Sequence, residues 1–176
     1  MYKSLFIKIL LTAAVFTMVA WVWKISPRPA ATGRIPAAAL SLPLTPNGPP
    51  MPISALKGHV ILLDFWATWC GPCRMSIPAL EAAYKKHQGE GLEVIGISRD
   101  HSETRGQIPA AAAQLGITYP LVVADDVPDI NDNYGTDSLP TMILIDRQGN
   151  IADVQSGYHN PAQLEAKITS LLAERP

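Results

Sequence analysis

The two cysteines of this 176-residue chain stand together in the segment Trp69-Cys70-Gly71-Pro72-Cys73. A pair with no further cysteine or histidine cluster cannot supply the four ligands of a structural zinc site. Two intervening residues also close a very small ring, which makes the pair a poor purely structural staple. At the start of a helix, however, residues three apart share a face and lie close enough to form a disulfide. The spacing therefore predicts a reversible dithiol–disulfide couple.

The two thiols are expected to play different parts. Cys70 should begin a helix, where the macrodipole and unpaired backbone N–H groups favour a thiolate, so we assign it as the nucleophile. Cys73 lies one turn deeper and is assigned as the resolving thiol. Pro72 constrains the first turn at little cost, and Gly71-Pro72 adds no cation to stabilise the thiolate, which favours reduction of other disulfides. The alternative is a pair of inert core cysteines.

One carboxylate, Asp64, interrupts the apolar run Val60–Trp66 that leads into the cysteines. A buried carboxyl without a partner has a raised pKa, because burial disfavours its charged form. We therefore expect Asp64 to take the proton from Cys73 during turnover. An aspartate that points into solvent at a strand end is the alternative.

The other polar residues indicate no second site. The histidines are interpreted as surface residues, namely His59, His87, His101 and His159. A group of aspartates lacks the calcium-loop pattern and is interpreted as a solvated loop, namely Asp125, Asp126, Asp129 and Asp132. We predict no metal and no cofactor.

The first 26 residues are predicted to form a transmembrane anchor. Lys3 and Lys8 precede the uncharged residues 9–23, which end in two tryptophans. This run is longer than a typical signal-peptide core and shorter than a full span of about 20 residues. Snorkelling lysines and interfacial tryptophans favour a retained anchor, whereas Ala37-Ala38-Ala39 leaves cleavage as the alternative. Either outcome exports the domain to a compartment where disulfides persist.

Composition limits the remaining possibilities. The formal net charge of −1 gives no reason to expect a nucleic-acid partner. Half of the 16 prolines fall between Pro27 and Pro52, so we predict a Pro/Ala-rich linker over residues 27–39. Residues 40–176 are then enough for one domain with a hydrophobic core.

Apolar patterns in this domain alternate between strand and helix signals. Strands are predicted near residues 40–44, 53–56, 60–66, 92–97, 119–123, 141–145 and 151–155, and helices near 73–87, 104–115, 130–134 and 161–173. This order predicts an α/β fold, a central mixed β-sheet flanked by helices and closed by a hairpin.

The segment from Asp64 to Cys73, Asp64-Phe65-Trp66-Ala67-Thr68-Trp69-Cys70-Gly71-Pro72-Cys73, resembles the active-site strand and helix of the thioredoxin superfamily. Pro78 matches its helix-kinking proline, and Leu139-Pro140-Thr141 resembles its cis-proline loop. The N-terminal anchor, the lead-in at residues 54–58 and the helix–strand insertion between Arg99 and Asp125 are similar to the TlpA/ResA branch. Its members are membrane-anchored thiol–disulfide oxidoreductases with a redoxin, AhpC/TSA-like domain.

This resemblance implies a thioredoxin-like fold over about residues 40–174. It implies that Pro140 is cis, although an isolated X–Pro bond is expected to be trans, and that its loop grips the client peptide. It also implies that Trp69 shields the disulfide. The substrate-binding residues are then Trp69, Gly71, Pro72, Leu139 and Pro140.

The partners and location also follow from the resemblance. Client protein disulfides, often the haem-binding cysteines of apocytochrome c, would be reduced with electrons from a membrane thiol-reductant carrier. The chain would cross the cytoplasmic membrane once, with its catalytic domain on the periplasmic or extracytoplasmic side. Two departures stand out: Ser76 replaces a glutamate that many members carry, and Asp64 is typical of general thioredoxins.

Two competing functions remain at this point. A thiol peroxidase would need a cysteine in a Thr-x-x-Cys setting supported by arginine, and Thr68-Trp69-Cys70 lacks that spacing. A tethered module that holds thiol-containing clients without turnover would not depend on Cys70 as a nucleophile.

Overall fold

The computed structural model describes residues 35–37, 39–44, 49–127, 129–134 and 138–175. They belong to one compact unit. Eight strands are present among them, and they are β1 Ile35–Pro36, β2 Ser41–Leu42, β3 Met51–Pro52, β4 Val60–Trp66, β5 Leu92–Ser98, β6 Leu121–Val123, β7 Thr141–Ile145 and β8 Asn150–Ser156.

The central strand of the main sheet is β4. All seven of its residues are buried, because helices or loops cover both faces of the sheet. β4 runs parallel to β5 and antiparallel to β7, and the six-stranded sheet has the order β1-β8-β7-β4-β5-β6. β2 and β3 form a separate two-stranded sheet. The predicted α/β fold with a mixed sheet is confirmed.

Four α-helices accompany the described strands, and they are α1 Gly71–His87, α2 Ile108–Leu115, α3 Ile130–Tyr134 and α4 Pro161–Leu172. Cys70 caps α1, and Pro78 lies inside it. Gly116 ends α2 in the left-handed region, at φ 68°, where glycine carries no Cβ penalty. The Asn160 side chain accepts hydrogen bonds from the first N–H groups of α4, as an N-cap does.

Side chains of β4 alternate between two hydrophobic cores. Ile61, Leu63 and Phe65 enter the core on one side of the sheet. Val60 and Leu62 enter the core on the other side, with Leu80 of α1 and Ile168 of α4. A third cluster contains Trp66, both cysteines and Ile108 of α2. The predicted helix–strand insertion, α2 and β6, therefore packs beside the cysteine pair.

Three details differ from the sequence predictions. Residues Ile53–Leu56 form a 3₁₀ helix rather than a strand, since a turn of four residues is enough to bury Ile53. The strand predicted at residues 40–44 is limited to Ser41–Leu42. Ile35 and Pro36 pair with β8 and lie in the sheet, within the segment predicted as a linker.

The predicted anchor, residues 1–26, lies outside the described residues. Within the described part of the chain, no helix has the length and apolar character needed to cross a membrane.

Candidate active site

The two cysteines form a disulfide at the N-terminus of α1. Their Cα atoms are 5.3 Å apart, and Cys70 is the N-cap, with extended backbone angles, while Cys73 lies within the first turn. The backbone N–H of Cys73 donates to Cys70 Sγ over 3.2 Å. Cys70 is 5% exposed and Cys73 1% exposed, so Cys70 is the more exposed residue of the pair. The assignment of Cys70 as nucleophile and Cys73 as resolving thiol stays a prediction.

Asp100 holds the segment that leads into Cys70. Its carboxylate accepts hydrogen bonds from the backbone N–H of Thr68 over 2.9 Å and from the Thr68 hydroxyl over 2.6 Å. The Ser98 hydroxyl donates to the same carboxylate over 2.7 Å. These hydrogen bonds lower the pKa of Asp100 against the opposing effect of burial, so the group is a fully buried, ionised anchor.

Sequence reasoning missed Asp100, although a signal was present. Parallel strands end at the same edge of a sheet, so residues that directly follow β5 lie beside residues that directly follow β4. Asp100 stands two residues after β5, and Thr68 stands two residues after β4. Because both residues stand two positions beyond the ends of neighbouring parallel strands, the Asp100 and Thr68 side chains are expected to lie together.

Asp64 lies on the α1 side of the sheet, as expected for a position two residues from both Leu62 and Trp66. It is 1% exposed, so the alternative of a solvent-facing aspartate is wrong. Burial raises the pKa of Asp64 to about 7, and the nearby Tyr119 hydroxyl partly offsets this rise. Trp66, two residues further along the same face of β4, packs in one cluster with Cys73.

The loop before β7 closes another side of the site. The Leu139–Pro140 peptide bond is cis, as the resemblance implies. Leu139 packs against the cluster that contains both cysteines, and Pro140 is buried. The backbone N–H of Gly157 donates to the carbonyl of Pro140 over 2.8 Å.

Three of the five predicted substrate-binding residues are exposed next to the cysteines in the chain. Gly71 and Pro72 are exposed, and Trp69 is 62% exposed beside Cys70. Met75, on the next turn of α1, is exposed to the same extent, at 63%. Ser76, which stands where many members of the branch carry a glutamate, is buried and donates to the Pro72 carbonyl over 3.3 Å. No charge is therefore present at that position.

Two of the histidines are not the surface residues that we predicted. His87 is buried because it joins α1 to Glu165 of α4 and to Glu90, through distances of 2.9 Å and 2.6 Å. His159 is buried in the turn before α4, and burial lowers its pKa. His101 is exposed, near Asp125.

The predicted acidic loop is exposed at its described carboxylates. Asp126 pairs with Arg105 through two hydrogen bonds. Among the described residues, no group of three or more acidic, histidine or cysteine side chains is arranged to hold a metal ion.

Comparison with known proteins agrees with this geometry. Residues 34–154 match the model of the AhpC/TSA family. The chain is 33% identical over 125 residues to the thioredoxin-like protein YneN of Bacillus subtilis, covering 70% of this chain and 72% of that protein. It is 32% identical over 125 residues to the thiol–disulfide oxidoreductase ResA of Bacillus anthracis, covering 71% and 70%.

Solved structures show the same fold. A thioredoxin family protein of Chlorobium tepidum, described as a thiol:disulfide interchange protein, superposes with a TM-score of 0.69 at 26% identity, covering 82% of this chain and 100% of that one. The thioredoxin-like fold and the resemblance to the ResA branch are confirmed. The chain therefore belongs to the AhpC/TSA family, and its cysteine pair makes it a thiol–disulfide oxidoreductase.

Proposed function

We propose that the protein reduces disulfide bonds of client proteins on the outer face of a cytoplasmic membrane, to which residues 1–26 anchor it. The observation that carries the proposal is the Cys70–Cys73 pair at the N-terminus of α1, with a buried carboxyl, Asp64, on the same side of the sheet. The lysine-flanked uncharged run of the first 26 residues supports the anchored, exported location.

Turnover begins with the reduced enzyme. The Cys70 thiolate attacks one sulfur of the client disulfide, forms a mixed disulfide and releases the first client thiolate. The Asp64 carboxylate then takes the proton of the Cys73 thiol. The Cys73 thiolate attacks Cys70 Sγ, which forms the Cys70–Cys73 disulfide and releases the second client thiolate. Two electrons have passed to the client, and a membrane thiol carrier restores the dithiol.

The two residues between the cysteines favour one direction of electron transfer. Gly71-Pro72 contributes no positive charge to the thiolate of Cys70. A reduced form that is only moderately stabilised gives up its electrons more readily. This favours a reductant over an oxidant.

The client surface consists of the exposed Trp69, Gly71 and Pro72 and the loop at Leu139 and Pro140. We propose that this loop receives an extended client segment that contains the target cysteine. Haem-binding cysteines of apocytochrome c are the client class that the resemblance to the TlpA/ResA branch implies.

Trapping with Cys73→Ala tests the proposal. Without the resolving thiol, mixed disulfides on Cys70 should accumulate in cells and identify the clients by mass spectrometry. The matched control Cys70→Ser retains Cys73 and should trap no client. If Cys73→Ala also traps nothing, a turnover role is wrong, and a binding module that works without thiol exchange is favoured.

Two further assays separate the alternatives. Purified protein should reduce insulin disulfides in the presence of a dithiol donor and should not consume peroxide faster than an ordinary thiol. A topology reporter fused after Pro176 should be active only on the extracytoplasmic side. A reporter active in the cytoplasm would contradict the proposed location.

A further inference from the structure

Buried polar atoms without a partner are concentrated on the α1 side of the sheet. Among the described residues, six buried side-chain nitrogen or oxygen atoms have no hydrogen-bond partner of good geometry. Three of them belong to Asp64 (Oδ2), Trp66 (Nε1) and Tyr119 (the hydroxyl). Native interiors leave few such atoms unpaired, so three in one place require an explanation.

All three residues lie beside Gly96. Gly96 is the direct partner of Asp64 in the parallel pairing of β4 and β5. A Cβ atom at Gly96 would lie 3.1 Å from Tyr119 Cε2 and 3.3 Å from Trp66 Nε1, and it would overlap Leu121 Cδ2. The Tyr119 ring therefore lies over Gly96, on the strand next to that of Asp64. Neighbouring strands of a sheet are about 4.8 Å apart.

Tyr119 is held in this position by the residue before it. The buried carboxylate of Glu81, on α1, accepts from the backbone N–H of Thr118 over 2.9 Å and from its hydroxyl over 2.5 Å. Lys85 pairs with the same carboxylate at 3.0 Å. On its other side, the Tyr119 ring packs edge-on against Tyr84, with centroids 6.0 Å apart. Helix α1 therefore fixes both the cysteines and the tyrosine.

We propose that Tyr119 is a positioning residue of the thiol–disulfide reaction, whose hydroxyl donates a hydrogen bond to Asp64 whenever that carboxyl is ionised. This inference rests on the proposed role of Asp64 as the base that deprotonates Cys73. A hydroxyl donates to a carboxylate more strongly than to a neutral carboxylic acid, so the contact favours the form that accepts the proton. The hydroxyl cannot replace Asp64 as the base, because burial and the adjacent Asp64 and Glu81 charges raise its own pKa.

Other groups that act on this pair are few. The titratable side chains that α1 contributes to this side of the sheet include Cys73, Glu81 and Tyr84, and His87 lies at the C-terminal end of the helix against Glu165 of α4. β5, β7 and α4 contribute apolar side chains to it, among them Val94, Met142 and Ile168. Asp153 of β8 and Lys167 of α4 pair with one another at 2.8 Å. The Tyr119 hydroxyl is the group that opposes the effect of burial on the Asp64 carboxyl.

The variant Tyr119→Phe tests the proposal by the titration of Asp64, followed by carboxyl ¹³C NMR in the oxidised full-length protein. Loss of a hydrogen bond to a charged group should raise the pKa of Asp64 by about one pH unit. Tyr84→Phe is the matched control, because it removes a neighbouring hydroxyl that does not act on Asp64, and it should leave the titration unchanged. Equal Asp64 titrations in Tyr119→Phe and the wild type would overturn the proposal.

A kinetic arm measures the same contact during turnover. Cys70 is loaded as a mixed disulfide with thionitrobenzoate, and its release by Cys73 is followed at pH 6–9. With an Asp64 pKa near 7 in the wild type, Tyr119→Phe should release the chromophore about fivefold more slowly at pH 7 and at nearly the wild-type rate at pH 9. An equal loss at every pH would mean that Tyr119 acts only on structure, and the proposal would be wrong.

Thr118→Val tests the support from Glu81, with Thr118→Ser as its control, because serine keeps the hydroxyl that donates to Glu81. Thr118→Val should shift the Asp64 titration in the same direction as Tyr119→Phe, and Thr118→Ser should not. The NMR arm needs no client, so it separates the two proposals. If Tyr119→Phe raises the pKa of Asp64 as expected but Cys73→Ala traps no client, the proposed function is rejected and the role of Tyr119 is not.

Discussion

The carboxylate of Asp100 binds Thr68 twice, through the backbone N–H at 2.9 Å and the hydroxyl at 2.6 Å. This contact ties the end of β5 to the segment that lies between β4 and Cys70. The backbone N–H of Arg99 also donates to the carbonyl of Trp66 over 2.7 Å, so two neighbouring strand ends are joined. The start of α1, and with it Cys70, is therefore fixed from outside the helix.

Asp100→Asn should weaken this support. The asparagine amide carries no charge, and its N–H₂ group would face one of the two Thr68 groups that donate to Asp100 in the wild type. We therefore expect the free energy of unfolding to fall by about 1–3 kcal/mol. Urea denaturation of the oxidised protein measures this change. Asp125→Asn, at an exposed carboxyl, is the control and should lie within about 0.5 kcal/mol of the wild type. Equal stability of Asp100→Asn and the control would contradict the role of Asp100.

Asp64 should make the protein less stable as the pH rises. Burial raises the pKa of Asp64 in the folded state to about 7, above the ordinary 3.8. The contribution of this carboxyl to the free energy of unfolding is therefore complete below about pH 4 and is lost as the pH rises through about 7. Asp64→Asn cannot ionise and should be more stable than the wild type at pH 8, by on the order of 4 kcal/mol. Denaturant unfolding at pH 4, 6 and 8 measures the difference.

The control for this prediction is Asp132→Asn, at an exposed carboxyl on α3. Its stability should follow that of the wild type at all three pH values. If the stability of Asp64→Asn also equals that of the wild type at all three pH values, ionisation of Asp64 does not affect folding and the prediction is wrong.

His87 should stabilise the contact between α1 and α4 at low pH. Its hydrogen bond with Glu90 raises its pKa against the effect of burial, and Glu165 adds to the rise. The contribution is complete below the ordinary value near 6.5 and is lost as the pH rises through the raised value. The substitution His87→Gln should therefore lower the free energy of unfolding by about 1–3 kcal/mol at pH 5.5 and by clearly less at pH 9.

Thermal unfolding of the wild type and His87→Gln across this range checks the prediction. His101→Gln, at an exposed histidine, should show no such dependence. A loss in His87→Gln that stays constant with pH would show that His87 contributes by packing and not by its charge.

Gly96→Ala should be destabilising although the backbone there needs no left-handed angle. An added Cβ would overlap Leu121 Cδ2 and crowd Tyr119 and Trp66, and overpacking of this kind costs about 1–3 kcal/mol. Gly106→Ala is the matched control, because a Cβ there meets no atom within 4 Å. Chemical denaturation of both variants measures the difference, and equal stabilities would contradict the close packing over Gly96.

Local pattern was sufficient to predict much of the fold. The continuous apolar run of β4 predicted a strand covered on both faces, and Asn160-Pro161 predicted the start of α4. The prediction failed at Ile53–Leu56, where the apolar spacing suits a strand and a 3₁₀ turn equally well. It also failed at His87, because no local pattern shows that Glu165 lies opposite, 78 residues later.

The sequence by itself determined the chemistry of this protein. Two cysteines three apart, preceded by a buried strand with one carboxylate, specify a dithiol and a candidate base because these relations are local along the chain. Only the tertiary structure decided what surrounds them. Asp100 meets Thr68 because parallel strand pairing brings together strand ends that are 32 positions apart along the chain. The Tyr119 ring lies over Gly96, the strand partner of Asp64, and the energy of such contacts depends on distance in space.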